Sequence, residues 1–135
     1  MCNVRSVAGG LIAVAAMAAA MSCSGSSSSS TGPSGSCTPS SSPTTFVIMN
    51  NTVCPQSLTV SRGTQVTFSN QDSIVHEMAS DPHPEHTDCV EINDVGVLNP
   101  GQSRQTGNLN IARRCGFHDH RLPGEAALRG TITIQ

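Results

Sequence analysis

The chain has 135 residues, 36% of them hydrophobic and 12% charged, with a net charge of −2. That length supports one small folded domain. The seven basic residues, all arginines, are scattered without a run or a helical stripe, which argues against a nucleic-acid partner. Aromatic residues are only 2% of the chain, namely Phe46, Phe68 and Phe117, so the core falls mainly to Val, Ile, Leu and Met, and a core that small calls for staples or a metal.

Arg5 and the apolar run VAGGLIAVAAMAAAM (7–21) form an export signal, so residues 1–22 are expected to be absent from the mature chain. The run is too short and too rich in Ala and Gly for a membrane-spanning helix. AMSC (20–23) resembles a bacterial lipobox with Cys23 as the acylated first residue, although Ala20 stands where such boxes favour Leu. The alternative is an ordinary signal cut near Ala20 that leaves Cys23 as a spare thiol. Residues 23–43 are almost entirely Ser, Thr, Gly and Pro and lack the apolar surface to fold. They read as a flexible tether with a span on the order of 25–30 Å.

From 44 to 135 the pattern changes to short β-type runs between turn residues. TTFVIMN leads into SLTVSRGTQVTFSN, where Leu58 and Val60 share a face, Arg62-Gly63 marks a turn, and Val66 and Phe68 alternate again. VGVLNPGQS carries an Asn-Pro-Gly corner, and the closing RGTITIQ alternates Ile132 and Ile134 with threonines. No stretch sustains a helical period. Short strands at regular spacing predict an all-β sandwich of roughly 90 residues.

The order of these pieces resembles the cupredoxins, the small blue-copper family that includes plastocyanin and amicyanin. The resemblance rests on PQSLTVSRGTQVTFSNQDSIVH (55–76), LNPGQS (98–103), CGFH (115–118) and LRGTITIQ (128–135). It implies a Greek-key sandwich, one copper ion, and His76, Cys115 and His118 as equatorial ligands. Two imidazoles with a thiolate are the donor set of electron-transfer copper sites. Leu128 stands where the family's axial methionine falls, so that ligand is missing or comes from elsewhere, with Met78 and Glu125 as candidates. His120 is an additional histidine, and RLPGEAA lengthens the ligand loop.

HEMASDPHPEHTDC (76–89) holds three histidines, a methionine, four acids and a cysteine. Taken singly, His83 and His86 read as members of a solvated loop whose prolines stop strand pairing. Taken together, the five histidines of the chain fall within this segment and CGFHDH (115–120), and that clustering points to metal, with His83, His86, His120 and Met78 as additional ligand candidates.

Of six cysteines, Cys2 leaves with the signal and Cys23 is the lipidation candidate. Cys37, Cys54, Cys89 and Cys115 remain, in a compartment that permits disulfides. Parity favours two bridges, Cys37–Cys54 and Cys89–Cys115. The resemblance instead makes Cys115 a copper thiolate, and both alternatives stand at this point. With the bridge, imidazoles alone would hold the metal, from His76, His118 and His120.

The expected function is single-electron transfer by an exported, lipid-anchored monomer on the periplasmic or cell-surface side, with a redox protein or a copper-handling protein as partner. A copper-buffering or delivery protein is the first alternative, and a metal-free, disulfide-stapled interaction module the second. No Ser-His-Asp ordering, phosphate-binding glycine loop or paired acids mark an enzyme.

Overall fold

The computed structural model describes residues 38–135. The signal segment, Cys2, Cys23, Cys37 and all of the tether before residue 38 lie outside the described residues.

Asn50 and Asn51 both take left-handed backbone angles, φ 54° and 52°, the requirement of a tight two-residue hairpin turn that Asn meets at low cost. They join β1 (Thr45–Met49) to β2 (Thr52–Cys54), paired antiparallel with Ile48 opposite Val53. β3 (Ser57–Val60) and β4 (Thr67–Asn70) follow, separated by the Arg62-Gly63 turn. Next come β5 (His76–Ser80), a 3₁₀ turn at Val90–Asp94, β6 (Gly96–Leu98) and β7 (Ser103–Gln105). The Asn99-Pro100-Gly101 corner before β7 closes with the Gln102 amide donating to the Asn99 carbonyl at 2.9 Å, and Gly101 at φ 76° supplies the angle this turn needs. β8 (Arg114–Asp119), a 3₁₀ turn at Ala126–Leu128 and β9 (Gly130–Ile134) complete the domain.

The strands form two mixed sheets, one ordered β2-β1-β4-β7 and the other β3-β9-β8-β5-β6. The pairs β1–β4 and β3–β9 are parallel and the rest antiparallel, because the chain crosses between sheets after β2, β3, β4, β6 and β7. This is a Greek-key β-sandwich, as the sequence predicts.

The inner faces meet over the three phenylalanines. Phe46, Phe68 and Phe117 are fully buried, with ring centroids 4.7–5.0 Å apart, the tilted and edge-on geometry that aromatic quadrupoles favour. Ile48, Met78, Ile92, Leu98, Leu109, Leu128 and Ile132 pack round them. With so few large side chains, each ring carries a large share of the burial. Replacing Phe117 by Ala should lower unfolding stability by about 3–5 kcal/mol, measured by denaturant unfolding. Ile111→Ala, at a residue 57% exposed, should change it by no more than about 0.5 kcal/mol.

Candidate metal centre

CGFHDH is a strand. Cys115 to Asp119 lie within β8, and pairing continues past its end, since the His120 amide donates to the Glu77 carbonyl at 2.7 Å. Side chains along a strand alternate between faces. Cys115, Phe117 and Asp119 therefore point into the sandwich, whereas Gly116, His118 and His120 stand on the outer face.

The chain between β5 and the first 3₁₀ turn folds over that outer face and brings two more imidazoles. His83, His86, His118 and His120 each offer a ring nitrogen, and the four atoms lie within 4.8 Å of one another. His120 Nδ1 and His86 Nε2 are 3.1 Å apart, and the His86 and His120 ring centroids are 4.8 Å apart. Metal–imidazole bonds of about 2.0–2.1 Å place tetrahedral donors about 3.3 Å from each other, so a small contraction of the group would enclose an ion. His118 is fully buried, and its Nδ1 is held 2.7 Å from Asp81 Oδ1. Its Nε2 is buried with no hydrogen-bond partner among the described residues, an arrangement that costs free energy unless something binds there.

His86 has a left-handed backbone angle, φ 54°, which few side chains adopt. Its carbonyl accepts from Asn93 Nδ2 at 3.0 Å and its amide donates to the Pro82 carbonyl at 2.7 Å. Burial holds its imidazole below the ordinary value of 6.5, and His120, His118 and His83 push the same way against Glu77. The neutral form, which a metal requires, is thereby favoured.

The ligand set implied by the sequence resemblance is not assembled. Cys115 is joined to Cys89 by a disulfide, so its sulfur is not a thiolate donor. The correction has a physical reason: residues three apart in one strand face opposite sides, and Cys115 and His118 are separated by the thickness of the sheet. His76 is likewise turned inward, fully buried, with Nδ1 2.6 Å from Asp119 Oδ2 and Nε2 3.0 Å from Asp72 Oδ2. Both its nitrogens are engaged by carboxylates. Met78 and Leu128 are core residues, and Glu125, exposed ahead of the second 3₁₀ turn, is not among the grouped ligand residues. Cys54 is disulfide-bonded, and Cys37, its expected partner, lies outside the described residues. The site thus unites His118 and His120 with the two loop histidines that read singly as solvated. Three acids that the sequence did not mark as site residues, Asp72, Asp81 and Asp119, prove to be histidine partners. The spacing His118-x-His120 inside a strand was the available signal, since period two puts both rings on one face.

With Cys115 in the disulfide and both His76 nitrogens held by carboxylates, the inward-facing set leaves no free sulfur or His76 nitrogen for a metal. The outer imidazole group does fit a metal, because four ring nitrogens converge there and one of them is buried without a hydrogen-bond partner among the described residues.

No family model matches the sequence, and no curated protein matches it. Solved structures do. A purple cupredoxin from Nitrosopumilus maritimus is similar over 67% of this chain and 98% of its own, at 18% identity and a TM-score of 0.54. Amicyanin from Paracoccus versutus covers 67% of this chain and 79% of its own at 16% identity, TM-score 0.54. Plastocyanin from Dryopteris crassirhizoma covers 67% and 99% at 21% identity, TM-score 0.53. At these identities the likeness establishes a shared fold.

Asp72 provides a pH test of the interior cluster. Burial pushes its carboxyl up, but hydrogen bonds from the Asn51 amide, His76 and the Asn50 amide outweigh that and hold it below the ordinary value of 3.8. The amide contacts are 2.9 and 2.6 Å long. A carboxylate lowered on folding adds stability that is complete above its unfolded value and is lost as pH falls through its folded one. Asp72→Asn should therefore be less stable than the parent at neutral pH, with the gap closing below pH 3.8. Urea unfolding at several pH values reads this, and a gap independent of pH would remove the ionised carboxylate as its source.

Proposed function

From the cupredoxin fold of this chain, we propose an exported copper-binding protein that holds one ion through His83, His86, His118 and His120, as a buffering or delivery protein rather than a catalyst. The observation that carries this is His118, whose buried ring lies beside three other imidazoles and is fixed at Nδ1 by Asp81, while its Nε2 has no hydrogen-bond partner among the described residues. Imidazole donors suit copper, which also stands highest in affinity among first-row divalent ions. Bound copper would supply a cation to hold or pass on and a one-electron couple. The protein's part is to keep four nitrogens convergent. His118 supplies a buried anchor, His86 and His120 close the sides, and exposed His83 gives the ion a way in.

Electron transfer is the second reading. It is favoured by the fold, since similar structures include an amicyanin variant in its Cu(I) form, 16% identical with a TM-score of 0.51, and a fern plastocyanin variant in oxidized and reduced forms, 20% identical with a TM-score of 0.53. It is also favoured by a concavity of about 770 Å³ that reaches His120, with Ile74, Val75 and Leu122 as apolar wall and Glu77 and Arg121 beside them. Such a surface suits a redox protein or a copper-handling protein presenting an apolar patch.

Disulfide-bonded Cys54, Cys89 and Cys115 support an extracytoplasmic location. Among the described residues no helix is long and apolar enough to cross a membrane, and the proposed anchor is an acyl group on Cys23. In cell fractionation the parent should follow membranes, and Cys23→Ser should appear in the soluble fraction or fail to be processed. An unchanged distribution would reject the lipid anchor.

Copper(II) titration of the full chain should give one tightly held ion and a pale solution, because an intense visible band needs the thiolate that the disulfide withholds. His118→Ala and His86→Ala should each weaken binding by more than about 100-fold, beyond what loss of an outer-shell partner costs. His76→Gln should leave affinity within a few-fold while lowering stability by about 1–3 kcal/mol, since it removes a hydrogen bond to buried Asp119 or to part-buried Asp72. A strong blue or purple colour, or an affinity loss at His76 matching that at His118, would return the site to the sandwich interior.

A further inference from the structure

Asp81 contributes no donor to the four-imidazole group, yet it is the residue on which the group's buried member depends. We propose that Asp81 is a positioning residue that, with the gap left by Gly116, fixes which nitrogen of His118 faces the ion and so sets the affinity of the centre. This rests on the four-imidazole reading.

The register places it. Ala79 pairs with His118 and Ser80 with Phe117, and the next step brings Asp81 opposite Gly116, where the Asp81 amide donates to the Gly116 carbonyl at 3.0 Å. Asp81 and His118 are therefore diagonal neighbours on the outer face, within reach across an antiparallel pair. For the carboxylate to reach the ring it must lie over residue 116. A Cβ on Gly116 would collide with an Asp81 carboxylate oxygen and stand 3.0 Å from its Cγ, so a side chain there would displace the acid. With Gly at 116, Asp81 Oδ1 accepts from His118 Nδ1 at 2.7 Å. A proton held on Nδ1 leaves the Nε2 lone pair for a metal, and a carboxylate behind a ligating imidazole raises its basicity.

His118 alone among the four imidazoles has such a partner among the described residues. His86 and His120 make their ring contact with each other, and no carboxylate lies within hydrogen-bonding distance of His83. One member of the group is thus held in a fixed tautomer and buried, while the others are partly or wholly open to solvent. The arrangement makes His118 the preorganised donor on which the rest assemble.

Copper(II) and zinc(II) titrations of the full chain test this, beside ¹⁵N spectra of the histidine rings in metal-free protein. Asp81→Ala should weaken binding about 10–100-fold. Asp81→Asn keeps an acceptor oxygen and should recover part of that loss, and Gly116→Ala should behave like Asp81→Ala. In a His118→Ala background, Asp81→Ala should cost nothing further. The spectra should show His118 protonated at Nδ1 in the parent and a mixture of tautomers in Asp81→Ala. Parental affinity in Asp81→Ala, an unchanged His118 tautomer, or an equal loss without His118 would each overturn the proposal, the last by showing that Asp81 only holds the loop. If the parent binds neither ion, the four-imidazole reading fails and the proposal with it. The metal-free spectra separate that outcome from a failure of Asp81 to fix the ring.

Discussion

The alternation of side chains along β8 governs the rest of the domain. A strand cannot aim neighbouring residues the same way, so the run from Cys115 to His120 is divided between two environments. Cys115, Phe117 and Asp119 become interior residues that carry the disulfide, the aromatic core and the clamp on His76. Gly116, His118 and His120 are left to the outer face, where they meet Asp81, His83 and His86. One strand thus welds the sandwich and carries half of the proposed centre, coupling the rigidity of one to the geometry of the other.

The interior clamp shows what fills the position that the sequence resemblance gave to a ligand. His76 is gripped on both nitrogens by carboxylates. Asp72 also accepts the two amides of the Asn50-Asn51 turn, and Asp119 accepts the amides of Glu77 and Arg121. Buried acids are tolerable only when so fully satisfied. The cluster joins the β1–β2 hairpin to the ends of β5 and β8, in the manner of a structural cross-link. It leaves His76 no nitrogen to offer.

A metal centre on the outer face, as proposed, would have consequences for function. An outer group can be entered from solvent through His83, whereas an interior ligand set is shielded by the sandwich. The segment bearing His83 and His86 is secured at one end by the Asp81 and Gly116 backbone contact and at the other by the Cys89–Cys115 bridge. The entropy of ordering it is therefore largely met on folding, which helps hold the four imidazoles convergent. A shared fold does not dictate a shared site, and here the same framework offers two faces of one sheet for different purposes.

Much of this was legible in the sequence. Alternating runs such as Ile132 and Ile134 and the Asn-Pro-Gly corner predict an all-β sandwich, because strand periodicity and turn chemistry are local properties, and the family resemblance added the Greek-key order. Confinement of the histidines to two short segments pointed to metal, whereas the common face of His118 and His120 follows only from CGFHDH being a strand and not the ligand loop that the resemblance implied. The sequence alone could not choose between thiolate and bridge for Cys115, since cysteine parity favoured the bridge and the position of CGFH in the resemblance favoured the thiolate. Register and end point of β8 decided that: with the strand continuing through Asp119, Cys115 faces Cys89 in the core and His118 faces outward. Nor could it pair Asp81 with His118 or Asp119 with His76, residues 37 and 43 positions apart. Partnerships over such distances arise only when strands are laid side by side in one register, a property of the tertiary structure and not of any segment within it.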